Sequence, residues 1–140
     1  MVDFVIDTNV IMGMLISGKA HYRTILTFVR FYLPEFSMTE LDEYKHVIFE
    51  KSKFTKIELK EFIYFVFSSV SVIPGFVLSK ESIKLANNLC ENIDIKDISF
   101  LALSIDMDLP LLTRDEQLYN GLKRKGYKKI ILFKDFLDQL

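Results

Sequence analysis

Four acids stand where alternating strands and helices would bring them together. Asp7 follows the apolar run Val2-Asp-Phe-Val-Ile6, and Glu40 follows a second apolar stretch by a few residues. Asp97 opens an apolar helical pattern, and Asp115 lies just past Leu111-Leu112-Thr113. Each is at a strand-to-helix junction or a helix start. In a parallel sheet those junctions share one edge, the edge where ligands bind in open α/β folds. Four carboxylates that converge there repel and cannot all stay ionised without a counter-charge. A hard divalent cation, Mg2+ or Mn2+, resolves this, because it prefers carboxylate oxygens and keeps several waters. His21 and His46 share no metal-ligand spacing and there is no CxxC, which points away from zinc. An all-oxygen site of this kind suits phosphodiester hydrolysis: the cation activates a water and stabilises charge on the phosphate. Whether one metal or two would share the cluster is open at this level.

Each acid taken singly has a plainer role open to it. Asp7 and Asp115 could cap the helices that follow them. Ser37 and Glu40 match a capping box, S-x-x-E. Asp97 could be a first-turn acid favoured by the helix dipole. Four together are harder to explain this way, although Asp94 beside Asp97, or Glu116 beside Asp115, could satisfy a cap without a convergent site.

The elements that must position them follow from periodicity. Val2 to Ile6 is a strand that stops at Asp7-Thr8-Asn9, residues that favour turns and N-caps. Val10 to Ile16 continues as a turn or two of helix. Tyr22 to Phe31 reads as a second helical piece, with Ile25, Leu26, Val29 and Tyr32 at helical spacing, and Glu35-Phe36-Ser37 as a strand after Pro34. Helices are expected over Thr39–Glu50 and Ile57–Ser69, and a strand over Val70–Ile73, ended by Pro74-Gly75. A helix over Lys80–Glu91 leads to the Asp97 helix and the Leu111–Thr113 strand. A helix over Glu116–Lys125 closes at Gly126, and Ile130–Leu132 and Lys134–Leu140 form the last strand and helix. Alternating strands and helices without a hairpin signal argue for an α/β fold, a parallel sheet of about five strands covered on both faces.

The 140 residues suit one domain, 1–140; half are hydrophobic and 13 are Phe, well above the composition of a disordered chain. Net charge is −1. Attraction to nucleic acid therefore has to come from a local patch or bound cations. Lys123, Arg124, Lys125, Lys128, Lys129 and Lys134 form one basic run, with helix C-terminal stabilisation as its plainer reading. Arg114, between Thr113 and Asp115, is a candidate phosphate contact. The lone Cys90 allows no intrachain disulfide and fits a reducing cytoplasm. The N-terminus lacks a basic n-region. Phe62 to Ser79 carries no charge, but its serines and Pro74-Gly75 read as buried helix, strand and turn, so no membrane span is expected. Phe62, Tyr64, Phe65 and Phe67 exceed what one helix face needs, which suggests core plus a seam for another chain.

Val5-Ile6-Asp7-Thr8-Asn9, Thr39-Glu40-Leu41, Asp97-Ile-Ser-Phe-Leu-Ala-Leu-Ser and Leu112-Thr113-Arg114-Asp115, in this order over nearly the whole chain, resemble the PIN-domain family, in particular VapC-type toxins of toxin–antitoxin pairs. The resemblance implies a three-layer α/β/α fold and a Mg2+- or Mn2+-dependent endoribonuclease acting on RNA. It implies Asp7, Glu40, Asp97 and Asp115 as metal-binding, catalytic acids, with Thr8, Asn9 and Thr113 supporting them and Asp94 at an often acidic position nearby. It also implies a cognate antitoxin, a homodimer and a cytoplasmic location. Ser104 stands where the family usually has Ala, and Leu112 where an aromatic is usual; neither touches the acids' identity. Two other classes compete. One is a non-catalytic RNA-binding or scaffold module of the same fold. The other is an aspartyl phosphotransferase with Asp7 as nucleophile, which normally wants a second acid where Asn9 stands.

Overall fold

The computed structural model describes residues 2–93 and 95–140, with the backbone alone at Ile95. Asp94 therefore lies outside the described residues. The strands are β1 (Val2–Ile6), β2 (Val29–Pro34), β3 (Ser71–Ile73), β4 (Leu111–Thr113) and β5 (Ile130–Leu132). They form one parallel sheet in the order β3-β2-β1-β4-β5. The chain runs outward from β1 through β2 to β3, then crosses back to β4 and β5. The switch point thus lies between β1 and β4, where open α/β sheets bind ligands.

Both faces are covered, and side-chain alternation explains why. Phe4 and Ile6 of β1, Phe31 and Leu33 of β2 and Leu112 of β4 belong to one buried cluster. Val5 and Leu111, one residue out of phase, belong to the other. The first cluster is closed by α1 (Thr8–Ser17), α2 (His21–Phe28), α4 (Lys45–Lys51), α5 (Lys56–Ser69) and α9 (Phe133–Asp138), the second by α6 (Lys80–Leu89), α7 (Ile98–Met107) and α8 (Glu116–Arg124). The expected three-layer α/β/α arrangement is therefore present. No helix among the described residues is long and apolar enough to cross a membrane.

One region departs from the sequence reading. Val29–Pro34 is a strand, and Phe36–Glu43 is a helix, α3, where a longer second helix and a strand at Glu35–Ser37 were expected. Val29, Tyr32 and the preceding Ile25 and Leu26 do fall at helical spacing. Val29, Phe31 and Leu33 also alternate, and pairing of Val2 through Val5 with Val29 through Tyr32 decides for the strand by burying Phe31 and Leu33. The single helix expected over Thr39–Glu50 is two, α3 and α4, broken at Tyr44. Three helices thus lie between β2 and β3 instead of two. A capping box does form, but at Thr55 and Glu58 of α5 and not at Ser37 and Glu40. Gly126, at φ +88°, ends α8 as expected.

Candidate active site

Asp7 sits at the carboxyl end of β1, and its N–H donates to the Leu112 carbonyl of β4 at 2.9 Å. Its carboxylate makes no cap bond to α1. It accepts instead from the Thr113 hydroxyl at 2.9 Å and from Asn9 Nδ2 at 3.2 Å, both on Oδ2. Asp7 is 6% exposed. Burial, reinforced by the charges of Glu40 and Asp115 and opposed by the Thr113 bond, pushes its pKa from 3.8 to about 6. A carboxyl held this way is poorly solvated and faces two others, so a cation beside it would relieve both penalties.

Glu40 lies in the second turn of α3, not the first. Its Oε1 is 2.7 Å from the Thr8 hydroxyl, which is itself 3.0 Å from the buried Ser37 hydroxyl. Thr8 has one proton, so it donates to the carboxylate and accepts from Ser37. This overturns the capping box at Ser37 and Glu40: Ser37 is inside the helix and buttresses Thr8. Asp115 does cap α8, accepting from Leu118 N–H at 3.1 Å. Its own N–H donates to Thr113 Oγ1 at 3.0 Å, which ties β4's end to Asp7. Asp97 is buried at 9% exposure and makes no side-chain cap bond to α7. Because α7 ends just before β4 begins, its first turn points to the carboxyl edge of the sheet, the edge that carries Asp7, Glu40 and Asp115.

Three residues next to the acids link them by hydrogen bonds. Thr113 bridges Asp7 and Asp115, Thr8 holds Glu40, and Asn9 spans Asp7 and the Arg114 backbone, whose N–H donates to Asn9 Oδ1 at 3.0 Å. Sequence reasoning missed Ser37 as a site residue; its only signal was a small polar residue one turn before Glu40. Among the described residues, no three His, Cys, Asp or Glu side chains are drawn together tightly enough to hold an ion as they stand. The donor set nevertheless fits a hard divalent cation. It is all oxygen, and its central carboxyl is buried beside two like charges.

The basic run near the C-terminus is largely engaged within the protein. Lys123 and Lys125 donate to the carbonyls of Lys128 and Leu89, Lys129 pairs with Asp108, and Lys134 pairs with Glu116 at 2.9 Å. On α5, Phe62 is fully buried and Tyr64 exposed, so the aromatic excess divides between core and surface.

Comparison with known proteins agrees with this fold. The family model described as PIN domain matches residues 5–133. No curated protein matches the chain. Among solved structures, the chain is similar to one from "VapBC2 from Rickettsia felis bound to a DNA fragment from their promoter", with a TM-score of 0.63 and 15% identity over 94% of this chain and 98% of that one. At that identity the likeness concerns the fold. With the family model spanning the sheet and all four acids, the chain belongs to the PIN-domain family.

Proposed function

We propose that this chain is a Mg2+- or Mn2+-dependent endoribonuclease, the toxin of a VapBC-type pair, acting through Asp7, Glu40, Asp97 and Asp115. The observation that carries the reading is Asp7. It is a buried carboxyl at the β1–β4 switch point, held by hydrogen bonds instead of capping its helix, with Glu40 and Asp115 in its field. When bound, the cation supplies Lewis acidity toward a phosphodiester and a water nucleophile. The chain's own residues fix the carboxylates that would hold it. Thr113 and Asn9 orient Asp7, Thr8 backed by Ser37 orients Glu40, and the Leu118 N–H leaves one oxygen of Asp115 uncapped. Asp97 approaches from α7. Arg114, exposed at the rim, is a phosphate contact.

The partner in this reading is a cognate antitoxin, supported by family membership and by the VapBC complex among the structural neighbours. Exposed Phe28, Tyr64 and Phe76 supply apolar surface for such a partner or for a homodimer in the cytoplasm. One observation favours a second reading, a non-catalytic RNA-binding module: among the described residues the acids are not closed into a ready ligand group. An aspartyl phosphotransferase is disfavoured by the burial of Asp7, which a phosphoryl donor would have to reach.

The test is cleavage of a labelled single-stranded RNA by wild type, Asp7→Asn and Asp97→Asn, each with Mg2+, Mn2+ or EDTA. Metal-dependent cutting, lost in both variants, is expected. Cutting that survives EDTA or either substitution would sink the metal mechanism. Wild type that binds neither Mg2+ nor Mn2+ by calorimetry would leave the silent module.

A further inference from the structure

Gly13 stands in the interior of α1, where glycine is unfavourable relative to alanine. A Cβ built on it would lie 1.8 Å from Arg114 Nη1, 2.9 Å from Cζ and 3.3 Å from Cδ. The guanidinium therefore rests on the α1 backbone at a residue with no side chain. The other end of Arg114 is also fixed, through its N–H to Asn9 Oδ1. Its charge is not consumed. Among the described residues no carboxylate pairs with it, and the ion pairs present involve lysines only. Arg114 and Gly13, with Asn9, Met12, Ile16 and Ser17, line an open cleft of about 340 Å3 along α1. The cleft begins at Asn9, inside the hydrogen-bond network of Asp7.

We infer that this cleft is a backbone subsite for single-stranded RNA flanking the acids, and that Gly13 is the positioning residue that seats Arg114 over it. The inference rests on the ribonuclease reading. A guanidinium offers several donors in a planar fork that matches phosphate oxygens. One already seated against a helix loses less side-chain freedom on binding than a free one. Met12 and Ile16 give the same cleft an apolar wall for sugar or base. A methyl at position 13 would push the guanidinium off its seat. Because the displaced atoms are the end of a flexible, exposed side chain, the fold would not suffer.

The experiment is an anisotropy titration of a fluorescent single-stranded RNA in EDTA over a range of salt, with wild type, Gly13→Ala, Arg114→Ala and the double variant. Thermal melts of the same proteins run alongside. Gly13→Ala should weaken binding roughly ten-fold, as one lost charge-assisted contact does. Arg114→Ala should do the same, and the double variant should be no worse than Arg114→Ala, because both remove one interaction. The salt slope should fall by about 0.7, the value for one phosphate contact to a single strand. Gly13→Ala should melt at or a few degrees above wild type, since alanine favours a helix. Gly13→Ala binding like wild type, or losses that add in the double variant, would overturn the inference. So would wild type that binds no RNA. Asp7→Asn cleavage, measured in parallel, keeps the two readings apart. Cutting that survives in Asp7→Asn strikes the nuclease mechanism, while normal binding by Gly13→Ala strikes only the subsite.

Discussion

Replacing Asp7 by Asn should make the metal-free protein more stable at neutral pH while abolishing its activity. Asp7 is buried, and its folded-state pKa is raised from 3.8 to about 6. The native state therefore holds a proton more tightly than the unfolded chain. Linkage sets the sign: between those two values stability falls as pH rises, and above about 6 the whole penalty is present. Near 1.4 kcal/mol for each pH unit of difference, the ionised carboxyl costs about 3 kcal/mol at pH 7.5. Asn can keep an oxygen at the Oδ2 position as acceptor for both Thr113 and Asn9, but it puts an NH2 group where the other carboxylate oxygen stood. The net gain should therefore be smaller, about 1–3 kcal/mol. Urea unfolding in EDTA at pH 7.5 and at pH 4.5 is the assay. The variant should exceed wild type at pH 7.5, and the difference should shrink at pH 4.5, where wild-type Asp7 is largely protonated in the folded state. Added Mg2+ should then raise the stability of wild type and leave the variant unmoved. A variant less stable than wild type at pH 7.5, or a difference that does not change with pH, would refute the electrostatic account of the site.

Two further outcomes test its surroundings. Thr113→Val removes the hydrogen bond that most lowers the Asp7 pKa; the Asp7 titration followed by NMR should move above 6, and metal-dependent cleavage should fall by about 10–100-fold, as for other residues that orient a ligand. Phe62→Ala empties a fully buried site of α5 in the first core cluster, where the ring packs near Phe54 and Phe65; it should cost about 3–5 kcal/mol in urea unfolding and leave Mg2+ affinity unchanged at temperatures where the variant is folded.

The elements and the acids were legible in the sequence to different degrees. β4 and β5 lie at the residues expected, because each is a short apolar run bounded by Pro, Gly or charge. Asp7, Asp97 and Asp115 lie at the junctions expected, because turn and cap chemistry is local. β2 was misplaced because Val29 to Leu33 can continue the helical spacing of Ile25 and Leu26 and also alternates as a strand, and only pairing with β1 selects between them. For the same reason Ser37 and Glu40 matched a capping box that the chain instead builds at Thr55 and Glu58.

The sequence by itself determined the class of the fold, the layer that each apolar face seeks, and the oxygen-only character of the acids, since these depend on residue type and on spacing within a few positions. The tertiary structure decided what each acid does. Asp115 caps its helix, whereas Asp7 and Asp97 do not, and Glu40 answers to Thr8, 32 residues away. It also decided that Gly13 and Arg114, a hundred residues apart, share one seat. Such pairings carry no local signal, because what selects them is the adjacency of β1 to β2 and to β4, which packs distant strand ends side by side.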